Sequence, residues 1–358
     1  MAESKRVEQH VPHHLDPALA HLDINDVYLF RGEIGTVFVL SVNSSAAGSD
    51  TPAGFDADTH YDFRIDLNGD AIEELTYRVI FGQLDPRGHQ PLELYQLVGL
   101  ETRDHTATGS LLAWGSTDAL VSGSQGLRVW AGLAAESSYV EPTVLEAVCR
   151  AIRFGRRVEL GAWQARRAVN AFAGTTVYAI VLEIPDCLFG ELIGLERQIG
   201  FWGTTTSFTD GGSWRPIHRR GLPLVQSLFN PADDDERTSD YHTTHPADDR
   251  ANYGELFASL VAAVVAAHET ADDPLAYGAT VARLLLPDVL TYQLGSPASF
   301  SFAGRNGRAL TDNAPEVMFS LVTNQALSDG LGKRQAAGTP RPRFPYVPIP
   351  PSLRGLPA

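Results

Sequence analysis

The segment Asp66-Leu67-Asn68-Gly69-Asp70 sets oxygen-bearing side chains at alternate positions of a tight turn, with Glu73 and Glu74 just beyond it. Calcium takes about six to eight hard oxygen ligands, and turns of this kind supply several locally. The glycine stands fourth rather than sixth, so the segment is not an EF-hand loop. Two readings follow: a solvated turn with acidic flanks, or a divalent-cation site built on Asp66, Asn68 and Asp70. In the second reading Asp23 and Asp26 join from a preceding strand, and Ca2+ is the one cofactor the spacing suits.

Imidazoles supply the other chemistry. His242 and His245 stand three apart in Asp240-Tyr241-His242-Thr243-Thr244-His245-Pro246, with Asp248 and Asp249 behind them. A transition metal would need a third ligand from elsewhere; the plain alternative is a polar loop, entered through four consecutive acidic residues from Asp233. His218-Arg219-Arg220 is the densest cationic spot in an acidic chain. Arg219 is the candidate for holding an anionic group, because its planar fork matches carboxylates and phosphates, or else it neutralises nearby carboxylates. Glu136, His218 and His242 are the candidates for proton transfer. Trp202, Trp214 and Tyr139 are the candidates for lining a ligand pocket, although aromatics at strand positions more often fill a core. His10, His13, His14 and His21 crowd the N-terminal region beside Asp16, Asp23 and Asp26, and read as exposed.

The composition excludes some partners. Asp and Glu outnumber Lys and Arg by 43 to 28, a net charge of −15, which repels a phosphate backbone and argues against nucleic acid. The longest apolar run, Leu256–Ala267, falls short of the roughly 20 residues a membrane span needs. No apolar leader is visible near Met1, so a cytoplasmic location is expected. Cys149 and Cys187 make no C-x-x-C pair and read as buried thiols. The phosphate-cradling G-x-x-x-x-G-K-[ST], the zinc motif H-E-x-x-H, the nucleophile elbow G-x-S-x-G and the dinucleotide fingerprint G-x-G-x-x-G are all absent.

The elements that must position these groups are mostly strands. Tyr61, Phe63 and Ile65 alternate with Asp62, Arg64 and Asp66, and Leu75, Tyr77, Val79 and Phe81 alternate on the return. With Asn68-Gly69 between, a dipeptide that tolerates positive φ, the pattern predicts an antiparallel hairpin with one buried and one polar face. Further strands are expected near 26–31, 36–42, 92–100, 126–132, 176–183, 198–205, 289–294 and 316–322. Helices are expected at 253–268, apolar nearly all round, and at 274–286, with Pro287 as its stop. The reading is a mainly β chain, with α+β as the variant. Its antiparallel sheets pack as a sandwich or barrel-like core with two or three late helices. Residues 1–24 read as an irregular lead-in and 25–335 as one β-rich domain. Residues 336–358, with seven prolines, read as an extended strap or a disordered end.

Several blocks, in order along nearly the whole chain, resemble one bacterial family, that of domain of unknown function 4331. Leu15-Asp16-Pro17 followed by Asp23-Ile24-Asn25-Asp26-Val27-Tyr28-Leu29-Phe30 looks like its opening signature. Tyr61 to Phe81 is similar to its Y-x-x-x-I-D-x-x-G-D-A-x-E-x-x-Y stretch. Asn170 to Pro185, Ile199-Gly200-Phe201-Trp202, Arg219-Arg220-Gly221-Leu222-Pro223, Leu285 to Leu290 and Gly307 to Asp312 resemble its later blocks. The resemblance implies kinship of fold and no shared activity; many relatives look exported. This chain departs from the pattern at Gly132 to Tyr139, at Asn170, at Thr175 or Thr176 and at Gln226, positions that hold other polar groups in the family.

The functional expectation is a cytoplasmic enzyme of secondary metabolism. It would act on a small, largely apolar molecule by acid–base or cyclisation chemistry, in an aromatic-lined cavity between sheets. The alternative is a non-enzymatic, calcium-stabilised binding or scaffold domain. Metal-dependent oxidation at His242 and His245 is a third reading.

Overall fold

The computed structural model describes residues 17–45, 52–192, 197–230 and 235–350. His10, His13, His14 and Asp16 lie outside them. Two antiparallel sheets carry the chain. The first runs β1 (Ile24–Arg31), β2 (Thr36–Val42), β9 (Thr176–Ile184), β8 (Arg128–Ala135), β7 (Val121–Ser122) in spatial order. The second runs β11 (Trp214–Arg220), β10 (Gln198–Phe208), β3 (Thr59–Asp66), β4 (Leu75–Phe81), β5 (Pro91–Val98), β6 (Ser110–Ser116). β12 (Leu290–Gln293) pairs with the start of β10, ahead of β11 along the same edge. A short hairpin, β13 (Ser299–Phe300) and β14 (Arg305–Asn306), completes the strands among the described residues.

The sheets pack face to face because every strand alternates. Tyr61, Phe63 and Ile65 of β3 and Tyr77 and Val79 of β4 turn inward. They meet Leu29, Phe38, Leu40, Ile180 and Leu182 of the first sheet in one continuous core. Phe38 and Phe201 meet edge to face across the gap, ring centroids 5.1 Å apart. At Gly203 the sheets approach so closely that a Cβ would stand 2.6 Å from the Leu40 side chain. The architecture is the expected sandwich, with no closed barrel.

The outer face of the first sheet is also apolar, which is why β2 is buried along its whole length. Phe344, Tyr346 and Val347 cover Tyr28, Val37, Val39 and Val181 there. The Tyr346 hydroxyl donates to Glu183 Oε1 at 3.1 Å and accepts from the Glu33 N–H at 2.8 Å. Residues 336–350 therefore form the strap of the two forms the prolines allowed.

Three local expectations are corrected. The predicted strand at 316–322 is helix α6 (Ala314–Thr323): Asn313 accepts the Glu316 N–H, Pro315 sits in the first turn, and Met318, Phe319, Leu321 and Val322 bury one face. Those apolar positions follow helical spacing rather than alternation. The acidic stretch read as a loop contains helix α3 (Asp235–Thr243). Helix α1 (Pro142–Phe154) was not expected, although Glu141 caps it, proline opens it and Gly155, at φ 58°, closes it. With the short α2 (Val225–Phe229), α4 (Asp249–His268) and α5 (Pro274–Leu285), the described residues hold six α-helices rather than two or three.

The β3–β4 hairpin forms, but not in the register that a two-residue Asn68-Gly69 turn would set: Tyr61 lies opposite Val79 and Ile65 opposite Leu75, where that turn would pair Ile65 with Ile72. Leu67 to Glu74 bulge out as a wider loop, in which Gly69 (φ 88°) and Ala71 (φ 61°), not Asn68, take positive φ. The cause is Asp66, whose carboxylate accepts the N–H groups of Asn68, Gly69 and Ala71 at 3.0, 2.6 and 2.7 Å.

Candidate functional site

Along β3 and β4 the polar face of the second sheet is not solvated. Asp62, Thr76 and Arg78 are fully buried, and Arg64 nearly so. Asp62 accepts from Arg78 Nε at 2.8 Å and Nη2 at 3.0 Å, and from Arg64 Nη2 at 3.2 Å. Burial alone would push the Asp62 carboxyl up; the Arg78 and Arg64 guanidiniums outweigh it and hold the group below its ordinary range. Arg64 also pairs with Glu73 and donates to Thr204 Oγ1 at 2.9 Å. Glu73 is driven the same way: burial raises it, and His245 with Arg64 pull it lower than that.

This charged layer floors a cavity of about 100 Å³, walled by Arg64, His105, Trp202, His218, His242 and His245. β10 supplies Trp202, β11 supplies His218, and α3 with the segment after it lays His242 and His245 across them. Four candidates from three stretches of sequence, Trp202, His218 with Arg219, and His242, thus border one space. His218 is buried, with Nε2 3.6 Å from Asp23 Oδ1, and the ring of His242 packs against it at a centroid distance of 4.0 Å. The His242 Nδ1 faces the Gln226 amide at 3.4 Å. His105 adds a buried Nδ1 with no hydrogen-bond partner among the described residues, and burial, then Arg64, holds that imidazole below its ordinary range.

His245 and Arg219 are differently employed. His245 Nε2 meets Glu73 Oε2 at 2.7 Å and Nδ1 accepts the Ala247 N–H at 3.2 Å, so both nitrogens are spoken for. Arg219 gives Nε to the Tyr241 carbonyl at 2.7 Å and both Nη groups to Asp249 at 3.2 and 2.5 Å. These bonds lock α3 and the start of α4 onto β11, and leave the Arg219 fork committed to protein rather than to an anion.

The remaining candidates lie elsewhere. Glu136 is buried on the first sheet, where burial, then the Asp26 charge, raises it to about 7; its Oε1 accepts the Ser138 N–H at 2.9 Å. Asp26 pairs with Arg308 there, and Tyr139 donates to the Thr311 carbonyl at 3.1 Å. Trp214 stacks on His60 at 3.7 Å; burial, then Arg78, lowers that imidazole to about 4. At the hairpin, Asp66, Asp70 and Glu74 offer oxygens within 4.8 Å of one another. Asn68 does not join as a carboxylate but donates to Glu74. Asp23 and Asp26 are not part of this group: one faces His218 and the other Arg308. Among the described residues no other set of three His, Cys, Asp or Glu side chains converges as metal ligands, His242 and His245 included.

Sequence reasoning missed Arg64, His105 and the Glu73–His245 pair. Charged residues alternating with apolar ones on β3 read as a wet face, and only the covering segments make it dry. Cys187 is exposed and Cys149 partly so, correcting the expectation of two buried thiols. No helix among the described residues is long and apolar enough to cross a membrane. Compared with protein-family models, curated proteins and solved structures, the chain matches none.

Proposed function

We propose that the chain is a small-molecule enzyme that uses His218 and His242 for acid–base chemistry in the cavity on the outer face of the second sheet. The observation that carries this reading is the stack Asp23–His218–His242 at the wall of a cavity that Arg64, His105 and Trp202 also line. An imidazole backed by a carboxylate is oriented and stabilised as it takes a proton. The His242 ring packs against that of His218 at 4.0 Å, and two positive charges side by side at that distance are disfavoured. His245, tied at both nitrogens, holds the covering segment in place.

The substrate this favours is small, with polar groups for the imidazoles to act on. The space between the sheets, where a largely apolar ligand was expected, is filled by side chains. The cavity of about 100 Å³ is well below the roughly 300–1,000 Å³ of pockets for drug-sized ligands, and its lining mixes imidazole, guanidinium and threonine hydroxyl with Trp202, Pro216 and Pro246. The test is a thermal-shift screen of hydroxy acids, amino acids and small aldehydes, followed by NMR assay of turnover for each hit. His218→Asn and His242→Asn should abolish turnover while leaving the melting temperature within a few degrees. Turnover that survives both substitutions would overturn the reading. The scaffold alternative rests on Asp66, Asp70 and Glu74, whose oxygens lie within 4.8 Å of one another. It requires a mass gain and a higher melting temperature with Ca2+, both reversed by EDTA.

A further inference from the structure

A second cleft, of about 240 Å³, lies where β10 begins, bordered by the 66–71 loop, the Leu286–Thr291 segment and β14. Three arginines line it: Arg250 from α4, Arg283 from α5 and Arg305 from β14. In a chain of net charge −15, three guanidiniums around one cavity call for an explanation. Arg64, Arg78, Arg219 and Arg308 each have a carboxylate partner. Among the described residues none of the three cleft arginines has one.

Arg250 gives Nε to the Leu286 carbonyl at 2.9 Å, and Arg283 gives Nη2 to Thr280 Oγ1 at 3.0 Å. Both sit near the C-terminal end of α5, where a cation offsets the helix dipole. That role accounts for two of the three. It does not account for Arg305, which comes from a hairpin, is half-buried and makes no side-chain hydrogen bond among the described residues; burial holds its guanidinium below the ordinary range. The one carboxylate in the lining, Asp66, has both oxygens turned to backbone N–H groups of its own loop. Gln198 and Thr291 add polar groups, and the rest of the wall is small or apolar, including Gly200, Ala71 and Val289. Ala71 and Val289 pack on Trp202, so an apolar partition separates this cleft from the histidine cavity.

We propose that this cleft binds a small ligand bearing a doubly charged oxyanion, a phosphate ester or a dicarboxylate, held between Arg305, Arg283 and Arg250. Guanidinium forks match both geometries; Arg250 and Arg283 are exposed, and Arg305 is half-buried. The volume suits a compact molecule rather than a nucleotide. The site is independent of the His218 chemistry and survives its failure.

Isothermal titration with inorganic phosphate and with succinate, at ionic strength matched with sodium chloride, tests it. Saturable binding of one or both is expected, with the tighter of the two identifying the class. Arg305→Gln and Arg283→Gln should each weaken binding at least tenfold with the melting temperature of the free protein unchanged. Arg250→Gln also loses a backbone contact, so the other two variants decide if it folds poorly. No heat beyond the chloride control for either anion, or binding that both substitutions leave intact, would overturn the assignment.

Discussion

Replacing Asp62 by Asn tests whether the outer face of the second sheet is a dry charged layer. The substitution keeps the shape of the side chain and removes its charge. It leaves Arg78, with no exposed side-chain surface, facing an amide, and takes from Arg64 one of its two carboxylate partners. Removing one partner of a buried ion pair costs about 3–5 kcal/mol, because the cation left behind stays desolvated. At about 2.1 cal/mol/K per residue, unfolding all 358 residues carries an entropy of about 0.75 kcal/mol/K. The melting temperature should therefore fall by about 4–7 °C. Urea unfolding of Asp62→Asn beside the exposed control Asp272→Asn, expected within about 0.5 kcal/mol of the parent, measures the difference. Adding Arg78→Met to Asp62→Asn should recover part of the loss, since it removes the stranded cation. The sign with pH follows from Asp62 being held below its ordinary value of 3.8: its contribution is complete above that value and fades as pH falls through the lower folded one. A loss under about 1 kcal/mol would mean that water reaches the layer, and would refute the reasoning.

Other outcomes follow from the same structure. Glu136 is raised from 4.5 to about 7 on folding, so the folded state binds the extra proton and stability falls as pH rises between those values. Glu136→Gln should gain on the parent across that window, by on the order of 3 kcal/mol at its end, in urea titrations at pH 5 and pH 8; a constant difference would count against a buried neutral acid. Cys187 should react rapidly with a disulfide reagent in the native protein, while Cys149, its thiol pushed up to about 12 by burial and lying 3.2 Å from the Ser227 carbonyl, should react only on unfolding. Cys187→Ser should remove the whole fast phase. Deleting residues 336–358 should lower the melting temperature and raise binding of a hydrophobic dye, because Phe344, Tyr346 and Val347 leave the first sheet; unchanged dye binding would deny the strap its role.

Much of the sandwich was legible because alternation reports a local fact: which side chains of a strand share a face. Tyr61, Phe63 and Ile65 against Leu75, Tyr77 and Val79 specified the hairpin and its inward face without further help; its register waited on the wider loop. The 316–322 segment misled because a short apolar run suits strand or helix alike, and its cap at Asn313 lies outside the run. The turn at Asn68-Gly69 misled because the Asp66 side chain, not the dipeptide, organises the loop.

The site divides along the same line. Residue types alone marked His218, His242 and Trp202 as chemically capable, since imidazole and indole carry those properties wherever they sit. Only the pairing of β10 with β11, and α3 laid over both, made them neighbours. The pairing of β1 with β2 and of β8 with β9, against expectation, set Asp26 and Glu136 on the other sheet with Arg308. Burial was likewise a tertiary decision. Asp62, Arg64 and Arg78 would read as a solvated face in any strand, and become a dry ion network only because segments distant in sequence close over them. The sequence by itself determined which groups could exchange protons or hold charge; the folded chain decided which of them meet, because contacts between distant segments leave no local pattern to read.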